Sequence, residues 1–224
     1  MPFIVFEGGE GVGKSTQIAK LAERLKSNGC EVVCTREPGG TPFAEKLRNI
    51  FKQTAAEGED EPTPWAELLV VAAARAQHLE KFIRPALERN SWVLSDRFLD
   101  SAYVYQGLRA KLGPETVLQV HEHFMRATDC PDLTIVLDLD VAIAKNRLHD
   151  RLRPAALQTA DRLDHADQAV FAELRSGFLG LAQKKMPYPF QKNVRRAVLD
   201  ASGSTEQVAQ EIWQVLSGVF GKVQ

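Results

Sequence analysis

Short apolar runs alternate with longer helical patterns along the chain, and this alternation is typical of parallel-sheet βαβ units. The apolar runs are rich in Val, Ile, Leu and Phe and mostly lack strict polar alternation, as expected for strands that are covered on both faces. We predict strands at Phe3–Glu7, Glu31–Arg36, Trp92–Asp96, Leu133–Asp138 and Arg196–Asp200. Helical patterns fill the gaps, roughly at residues 14–28, 42–53, 66–90, 114–127, 141–152, 165–184 and 203–218. The pattern therefore predicts an α/β fold.

Composition and charge narrow the class of protein. The 224 residues are 44% hydrophobic and 25% charged with a formal net charge of −1, so no basic excess points to a nucleic-acid partner. No apolar run approaches ~18 residues, and no basic leader precedes the first strand, which argues against a membrane span and a signal peptide. The 3 cysteines, Cys30, Cys34 and Cys130, lack metal-ligand spacing. We expect them to be buried thiols in a reducing, cytoplasmic compartment.

The clearest motif is a phosphate-binding loop between the first predicted strand and the first predicted helix, with the sequence GGEGVGKST. Its glycines allow successive backbone N–H groups to turn toward phosphate oxygens, and the following helix N-terminus adds its dipole. Lys14 would reach the outer phosphates, and the Ser15 hydroxyl would ligate Mg²⁺. We therefore predict that a nucleoside triphosphate is bound by Gly8, Gly9, Glu10, Gly11, Val12, Gly13, Lys14, Ser15 and Thr16.

Other features separate the classes of P-loop protein. The chain has no Asn-Lys-x-Asp motif for reading guanine and no LSGGQ-like segment of a transport ATPase. An acidic stretch, Ala56–Pro64, is interpreted as a solvated loop. An arginine-rich stretch, Arg151–Asp164, follows a helix that Pro154 would end, and we interpret it as a flexible excursion. An arginine-rich lid that closes to exclude water favours a kinase for a small acceptor.

Four further segments occur in a specific order: TREPGGT from Thr35, RAQH from Arg75, DRF…S…YQG from Asp96 and PDLTIVLDL from Pro131. Together with the phosphate loop they resemble the bacterial thymidylate kinase (dTMP kinase) family over nearly the whole chain. The resemblance implies a P-loop NTPase fold with a five-stranded parallel sheet flanked by helices on both faces. It also implies one domain over residues 1–224, with a mobile lid at about 147–164.

The activity implied by this resemblance is Mg²⁺-dependent transfer of the ATP γ-phosphate to dTMP, giving dTDP for dTTP synthesis, by a homodimer. Arg97 and Arg48 would hold the acceptor phosphate, Arg75 the thymine carbonyl edge, and Tyr105 would pack near the sugar C2′. Glu10 would face the acceptor and accept from its 3′-hydroxyl, or help to hold Mg²⁺ through water. The predicted dTMP contacts are Glu10, Glu37, Pro38, Arg48, Val71, Arg75, Arg97, Ser101, Tyr105 and Gln106.

Alternatives remain open for two of these groups. Asp96 would hold a water of the Mg²⁺ shell, which makes Ser15 and Asp96 the predicted metal residues, or it would instead hold Arg97. Arg75 has a structural alternative as a partner of Glu67 or Glu80 on the same predicted helix.

The chain departs from the family pattern at three positions. Val71 stands where members usually carry an aromatic that stacks on thymine, so we expect weaker dTMP binding or a different neighbour in its place. Gly11 stands where some members carry an arginine. Asp164 ends the motif DRLD, where a glutamate is usual; Arg162 in that motif remains a candidate.

The positive charge absent at Gly11 would come from the lid. Arg151 and Arg153 are predicted to stabilise the transferring phosphoryl group, whereas Arg147 is predicted to pack against adenine. The predicted catalytic residues are therefore Lys14, Arg97, Arg151 and Arg153. The alternatives to a dTMP kinase are a kinase for another pyrimidine monophosphate and a P-loop ATP switch that turns over without an acceptor.

Overall fold

A five-stranded parallel sheet forms the centre of the molecule in the computed structural model, which describes residues 1–52, 60–151, 167–184, 186, 188–189 and 193–221. The strands are β1 (Phe3–Glu7), β2 (Val32–Arg36), β3 (Trp92–Asp96), β4 (Leu133–Asp138) and β5 (Arg195–Asp200), in the order β2-β3-β1-β4-β5. Every neighbouring pair is parallel. The predicted fold class is confirmed, and β2 and β5 each begin one residue away from the predicted start.

Helices cover both faces of this sheet. They are α1 (Lys14–Ser27), α2 (Pro42–Lys52), α3 (Pro64–His78), α4 (Arg84–Glu88), α5 (Leu99–Ala102), α6 (Pro114–Glu122), α7 (Val141–Arg151), α8 (Gln168–Lys184) and α9 (Thr205–Phe220). π-helical turns at Leu79–Ile83 and Tyr103–Arg109 continue α3 and α5, and a 3₁₀ turn occupies Ala127–Asp129. No helix among these described residues is long and apolar enough to cross a bilayer.

The alternation of side chains along β1 explains its continuous apolar sequence. Phe3 and Val5 enter a core formed with residues of α3 to α6 and α8. Ile4 and Phe6 point to the other face, into a core formed with residues of α1, α7 and α9. Because successive strand residues face opposite sides, a strand buried on both sides has to be apolar throughout.

The predicted helix at 66–90 differs from the structure. It is divided by the π turn at Leu79–Ile83, directly before Pro85. Proline lacks an N–H and its ring crowds the carbonyl four residues earlier, and a wider turn relieves that conflict. The predicted helix at 114–127 ends at Glu122.

Two predicted loops fall largely outside the described residues. The acidic stretch is described only from Asp60, where Thr63 begins α3 by accepting a bond from the N–H of Ala66 at 3.3 Å. The arginine-rich stretch from Arg151 to Asp164 lies outside the described residues, except for the backbone of Arg151.

Candidate active site

The phosphate loop follows β1 and leads into α1, as predicted. Gly13 begins the helix in a left-handed conformation, with φ at 97°. Lys14 Nζ folds back and donates to the carbonyl oxygens of Gly8, at 3.3 Å, and Gly9, at 2.7 Å. Burial and the nearby Arg97 guanidinium lower the pKa of Lys14, although Glu10 opposes this shift. Lys14 Nζ therefore lies inside the loop, where phosphate oxygens could take the place of these two carbonyl groups as its hydrogen-bond partners.

Gly11 explains why the loop carries no arginine at this position. Its φ is 76°, and a Cβ placed there would lie 2.3 Å from the carbonyl oxygen of Ala144 on α7. A side chain at this position would therefore require α7 to move. The packing of α7 against the loop accommodates only glycine here.

A hydroxyl and a carboxylate meet at the first turn of α1. Ser15 Oγ donates to Asp96 Oδ2 at 2.9 Å, so the two residues predicted for the metal are hydrogen-bonded to each other. Mg²⁺ prefers oxygen ligands and is usually held by one or two protein oxygens together with substrate phosphates and water. The described residues contain no cluster of three or more His, Cys, Asp or Glu suited to a metal. A hydroxyl beside a carboxylate is a pair of oxygen donors that fits Mg²⁺ shared with nucleotide phosphates.

A pocket with about 520 Å³ of empty space, part of it open to solvent, lies next to the loop. Every residue predicted to contact the acceptor lines it: Glu10, Glu37, Pro38, Arg48, Val71, Arg75, Arg97, Ser101, Tyr105 and Gln106. Sequence reasoning missed the other lining residues, Phe51, Lys52, Phe98 and Ala102. The segments after β1, β2 and β3 meet here because the carboxyl ends of parallel strands share one edge of a sheet.

Arg97 joins the loop to this pocket. Its Nη1 donates to the Gly8 carbonyl at 3.1 Å and to Ser101 Oγ at 3.0 Å, and its Nη2 donates to Glu10 Oε1 at 2.5 Å. Burial opposes its charge, but Tyr105 and the carboxylates of Glu10 and Glu7 raise the pKa of Arg97 well above its ordinary value. Glu10, the carboxylate of the phosphate loop, thus pairs with a cation at the pocket.

Beneath Arg97 lies Glu7, which sequence reasoning missed. One carboxylate oxygen accepts from the N–H groups of Phe98, at 2.8 Å, and Ser101, at 3.1 Å; the other accepts from Ser101 Oγ at 2.7 Å. Burial and the nearby Asp100 raise the pKa of Glu7 to about 7, against the lowering effect of Arg97. A charged residue that ends an otherwise apolar strand was the available signal. Glu7 anchors the turn that presents Arg97.

Arg75 pairs with Glu37 on the segment after β2, outside the predicted helix that carries Glu67 and Glu80. Its Nε donates to Glu37 Oε2 at 2.6 Å, in a pair whose side chains are 1% and 2% exposed. The guanidinium also lies over the Phe98 ring, 4.9 Å from its centroid. Burial would raise the pKa of Glu37, but Arg75 and His78 outweigh it and lower that pKa. The pair is therefore ionised, and Arg75 is held at the pocket wall.

His78 of the RAQH segment supports this pair from behind. Its Nδ1 lies 2.9 Å from Glu37 Oε1, and its Nε2 lies 2.7 Å from Thr35 Oγ1. Gly40 is required beside it, because a Cβ there would lie 2.4 Å from His78 Nε2 and the φ of Gly40 is 83°. The two segments TREPGG and RAQH are thus parts of one hydrogen-bonded wall.

The remaining wall of the pocket comes from α2 and α3. Arg48 Nη1 donates to the Pro38 carbonyl at 2.7 Å, which ties α2 to the segment after β2. Val71 is nearly buried and leaves no ring at the predicted stacking position. Aromatic surface reaches the pocket instead from Phe51 at the end of α2 and from Phe98 below Arg75.

The lid residues are only partly described. Arg147 on α7 donates from Nη1 to the Ala201 carbonyl at 3.2 Å, beside the turn between β5 and α9. Arg151 is the last residue of α7, and its side chain is outside the described part of the chain. Arg153, Arg162 and Asp164 also lie outside it. Their predicted roles stay predictions.

A strand–loop–helix with the sequence of a phosphate-binding loop, beside a pocket lined by three arginines, is typical of a P-loop phosphotransferase that binds its acceptor next to its donor. Comparison of the chain with known protein families identifies its family. The thymidylate kinase family model matches residues 6–212. The chain belongs to the thymidylate kinase family.

Curated relatives and a solved structure agree with this assignment. The chain is 43% identical over 218 residues to a thymidylate kinase of Pseudomonas putida, covering 97% of this chain and 96% of the relative. It is 45% identical over 181 residues to one of Methylococcus capsulatus, covering 81% of each. The crystal structure of thymidylate kinase from Ehrlichia chaffeensis matches with a TM-score of 0.70 and 28% identity, over 96% of this chain and 98% of that chain.

Proposed function

We propose that this chain transfers the γ-phosphate of ATP to dTMP and releases dTDP and ADP, a step toward dTTP. The observation that carries the proposal is Arg97, whose guanidinium contacts both the phosphate loop and the acceptor pocket. A group at this junction is suited to an acceptor phosphate that has to lie in line with the donor. Family membership favours this function over the switch and over other pyrimidine kinases.

On the donor side, Gly8 to Thr16 would surround the triphosphate with backbone N–H groups, and Lys14 would exchange its carbonyl partners for phosphate oxygens. Ser15 and Asp96 would hold Mg²⁺, directly or through water. When bound, Mg²⁺ supplies charge that neutralises the phosphate oxygens during transfer. The adenine would lie near Arg147, which already contacts the turn after β5.

On the acceptor side, Arg97 and Arg48 would bind the dTMP phosphate, and Arg75 would donate to the thymine carbonyl edge. Tyr105 would occupy the space that a 2′-hydroxyl needs, with Ser101 and Gln106 beside it. Glu10 would accept from the 3′-hydroxyl. These groups are buried or half-buried, so their hydrogen bonds act without competition from bulk water.

Closure of the lid would complete the site. Arg151 and Arg153 would bring positive charge to the transferring phosphoryl group, an effect worth ~10³–10⁵ in rate where an arginine finger acts. The same closure would expel water and prevent ATP hydrolysis. One domain with a lid at about 147–164 remains the domain organisation that we propose.

A homodimer is the assembly that we propose, because α2 and α3 each expose apolar side chains at helical spacing. Phe43 and Ile50 on α2, and Trp65 and Leu69 on α3, are each half exposed or more. A second copy would cover these stripes. A cytoplasmic location is proposed as well, since Cys30, Cys34 and Cys130, which all lie in the described part of the chain, form no disulfide with one another. Cys130 is buried as expected, whereas Cys30 is half-buried and Cys34 is exposed.

The deciding experiment is ADP release from the purified full chain with ATP and Mg²⁺, without acceptor and with dTMP, dUMP, UMP, CMP, AMP or GMP. We expect strong stimulation by dTMP and weak stimulation by the others. A similar response to all pyrimidine nucleotides would move the assignment to a broader pyrimidine kinase. ADP release that is independent of any acceptor would contradict the kinase and favour the switch.

A further inference from the structure

The buried histidine on α6 has no role in any motif of the chain, yet it contacts Arg75. Arg75 Nη1 lies 2.5 Å from His121 Nε2, and both side chains are almost fully buried. His121 Nδ1 in turn lies 2.7 Å from the carbonyl oxygen of Val117, one turn earlier on α6. His121 therefore connects the pocket wall to a helix that contributes no residue to the pocket itself.

The two partners of His121 decide its tautomer. A backbone carbonyl only accepts, so Nδ1 carries the proton and donates to Val117. A guanidinium only donates, so Nε2 carries the lone pair that accepts from Arg75. Burial and the charge of Arg75 lower the pKa of His121 to about 3, which agrees with a neutral ring. His121 is thus an uncharged acceptor aimed at the guanidinium.

His121 completes the hold on Arg75 that Glu37 begins. Glu37 gives Arg75 only one oxygen, because its second oxygen is taken by His78. A single contact at Nε leaves the guanidinium plane free to turn, whereas a second contact at Nη1 fixes it. Within the described part of the chain, Nη2 is the nitrogen that these two contacts leave for a ligand in the pocket.

We propose that His121 is a positioning residue for base selection, which holds Arg75 so that Nη2 donates to the carbonyl edge of a thymine. This inference rests on the proposed function. A guanidinium fixed in place donates to a carbonyl oxygen and excludes the amino group that cytosine presents at the corresponding ring position, because two donors would then face each other.

The test uses the full chain with His121→Leu, which removes the acceptor, and His121→Gln, whose side-chain oxygen restores one. Steady-state kcat and KM are measured for dTMP and for dCMP at saturating ATP and Mg²⁺. We expect His121→Leu to raise the KM for dTMP about tenfold and to lower the preference for dTMP over dCMP about tenfold, with kcat and the KM for ATP changed by less than about twofold. His121→Gln recovers most of both losses.

His123, the residue that directly follows α6, offers a matched control. Its Nδ1 makes the same contact one turn back, 2.7 Å from the Gln119 carbonyl, but the side chain is exposed. His123→Leu is therefore expected to behave as the wild type. An unchanged KM and preference in His121→Leu would overturn the inference, and so would a His121→Gln variant as impaired as His121→Leu.

A spectroscopic measurement on the wild type covers the case in which His121→Leu does not fold. Nitrogen-15 NMR of the imidazole should show the proton on Nδ1 and a lone pair on Nε2, and the Nε2 resonance should shift when dTMP binds. A proton on Nε2, or a resonance unmoved at saturating dTMP, would overturn the positioning role. If the wild type shows no dTMP-dependent ADP release, the proposed function itself fails. If the wild type depends on dTMP but His121→Leu keeps the wild-type KM and preference for dTMP, only the positioning role of His121 fails.

Discussion

The phosphate loop and the acceptor pocket lie side by side but are built in opposite ways. In the loop, Lys14 bonds to carbonyl groups 5 and 6 residues away. In the pocket, Arg75 bonds to Glu37 and His121, which are 38 and 46 residues away, and Arg97 bonds to Glu10 at a separation of 87. The phosphate loop is therefore built from contacts within one short stretch, whereas the pocket depends on how several elements pack.

The largest effect is expected from breaking the donor side alone. Lys14→Met removes the cation of the loop, and we expect kcat to fall by ~10²–10³, as for loss of a preorganised charge at a transferring group. Binding of dTMP, measured by calorimetry, should stay within about twofold because the pocket does not include Lys14.

Lys20→Met is the control for this variant, since Lys20 is on the same helix and pairs with Glu206 in an exposed salt bridge of 3.1 Å. Such pairs contribute little to stability. A parallel loss of dTMP binding in Lys14→Met would show that the two regions are not separable in this way.

The next largest effect is expected at Arg97, the residue that joins the phosphate loop to the pocket. Arg97→Lys keeps the charge but loses the fork that reaches Gly8, Ser101 and Glu10 at once. We expect kcat/KM for dTMP to fall about 10²-fold. Arg109→Lys, at an exposed pair 3.8 Å from Glu173, is the control and should leave kcat/KM unchanged. Equal behaviour of the two variants would contradict the role of Arg97.

A smaller effect, on the free energy of unfolding, is expected at Glu7, the buried carboxylate beneath Arg97. Glu7 has a pKa of about 7 in the folded protein against an ordinary value of 4.5, so the folded state keeps its proton over a range where the unfolded state has lost it. Its contribution to stability is present below about pH 4.5 and is lost as the pH rises through about 7. The groups facing it are Asp100, Arg97, Ser101 and the N–H of Phe98.

The free energy of unfolding of Glu7→Gln relative to the wild type should therefore rise by roughly 1–3 kcal/mol as the pH is raised from 5 to 8, measured by urea unfolding. The exposed Glu23 on α1 supplies the control, Glu23→Gln, which should show no such change. A relative stability of Glu7→Gln that is the same at both pH values would mean that Glu7 is ionised in the folded protein throughout.

The smallest effect, on the Kd for dTMP, is expected from adding an aromatic ring to the acceptor pocket. Val71→Phe places a ring at the pocket wall, and stacking on thymine is worth ~0.5–1.5 kcal/mol, so the Kd for dTMP should fall roughly two- to tenfold. Val70→Phe adds the same volume at the neighbouring position, which does not line the pocket, and should leave the Kd unchanged. Weaker binding in Val71→Phe alone would show that Phe51 and Phe98 already occupy the space.

Sequence reasoning reached the fold because the signals were local. The doubly buried strands are continuous apolar runs, and the phosphate loop is one contiguous motif between a strand and a helix. The residues predicted for the acceptor came from ordered motifs, and they line one pocket because the sheet brings its strand ends together. Their individual roles remain predictions for the kinetic experiments.

Two of the missed residues, Glu7 and His121, share a different property, since each contacts a partner that is distant in sequence. Glu7 meets Ser101 across 94 residues, and His121 meets Arg75 across 46. Nothing near His121 in the sequence distinguishes it from His123, two positions later, although one is buried against an arginine and the other is exposed.

The amino-acid sequence by itself determined the order of strands and helices, the phosphate loop and the set of polar side chains available at the strand ends, because periodicity and turn chemistry are local. Only the tertiary structure decided which of these side chains meet. The exclusion of any side chain at Gly11 by α7, the choice of Glu37 and His121 as partners of Arg75, and the burial of Glu7 all follow from packing between elements. Burial and pairing set the charge and orientation of a site, and neither is encoded by the residue alone.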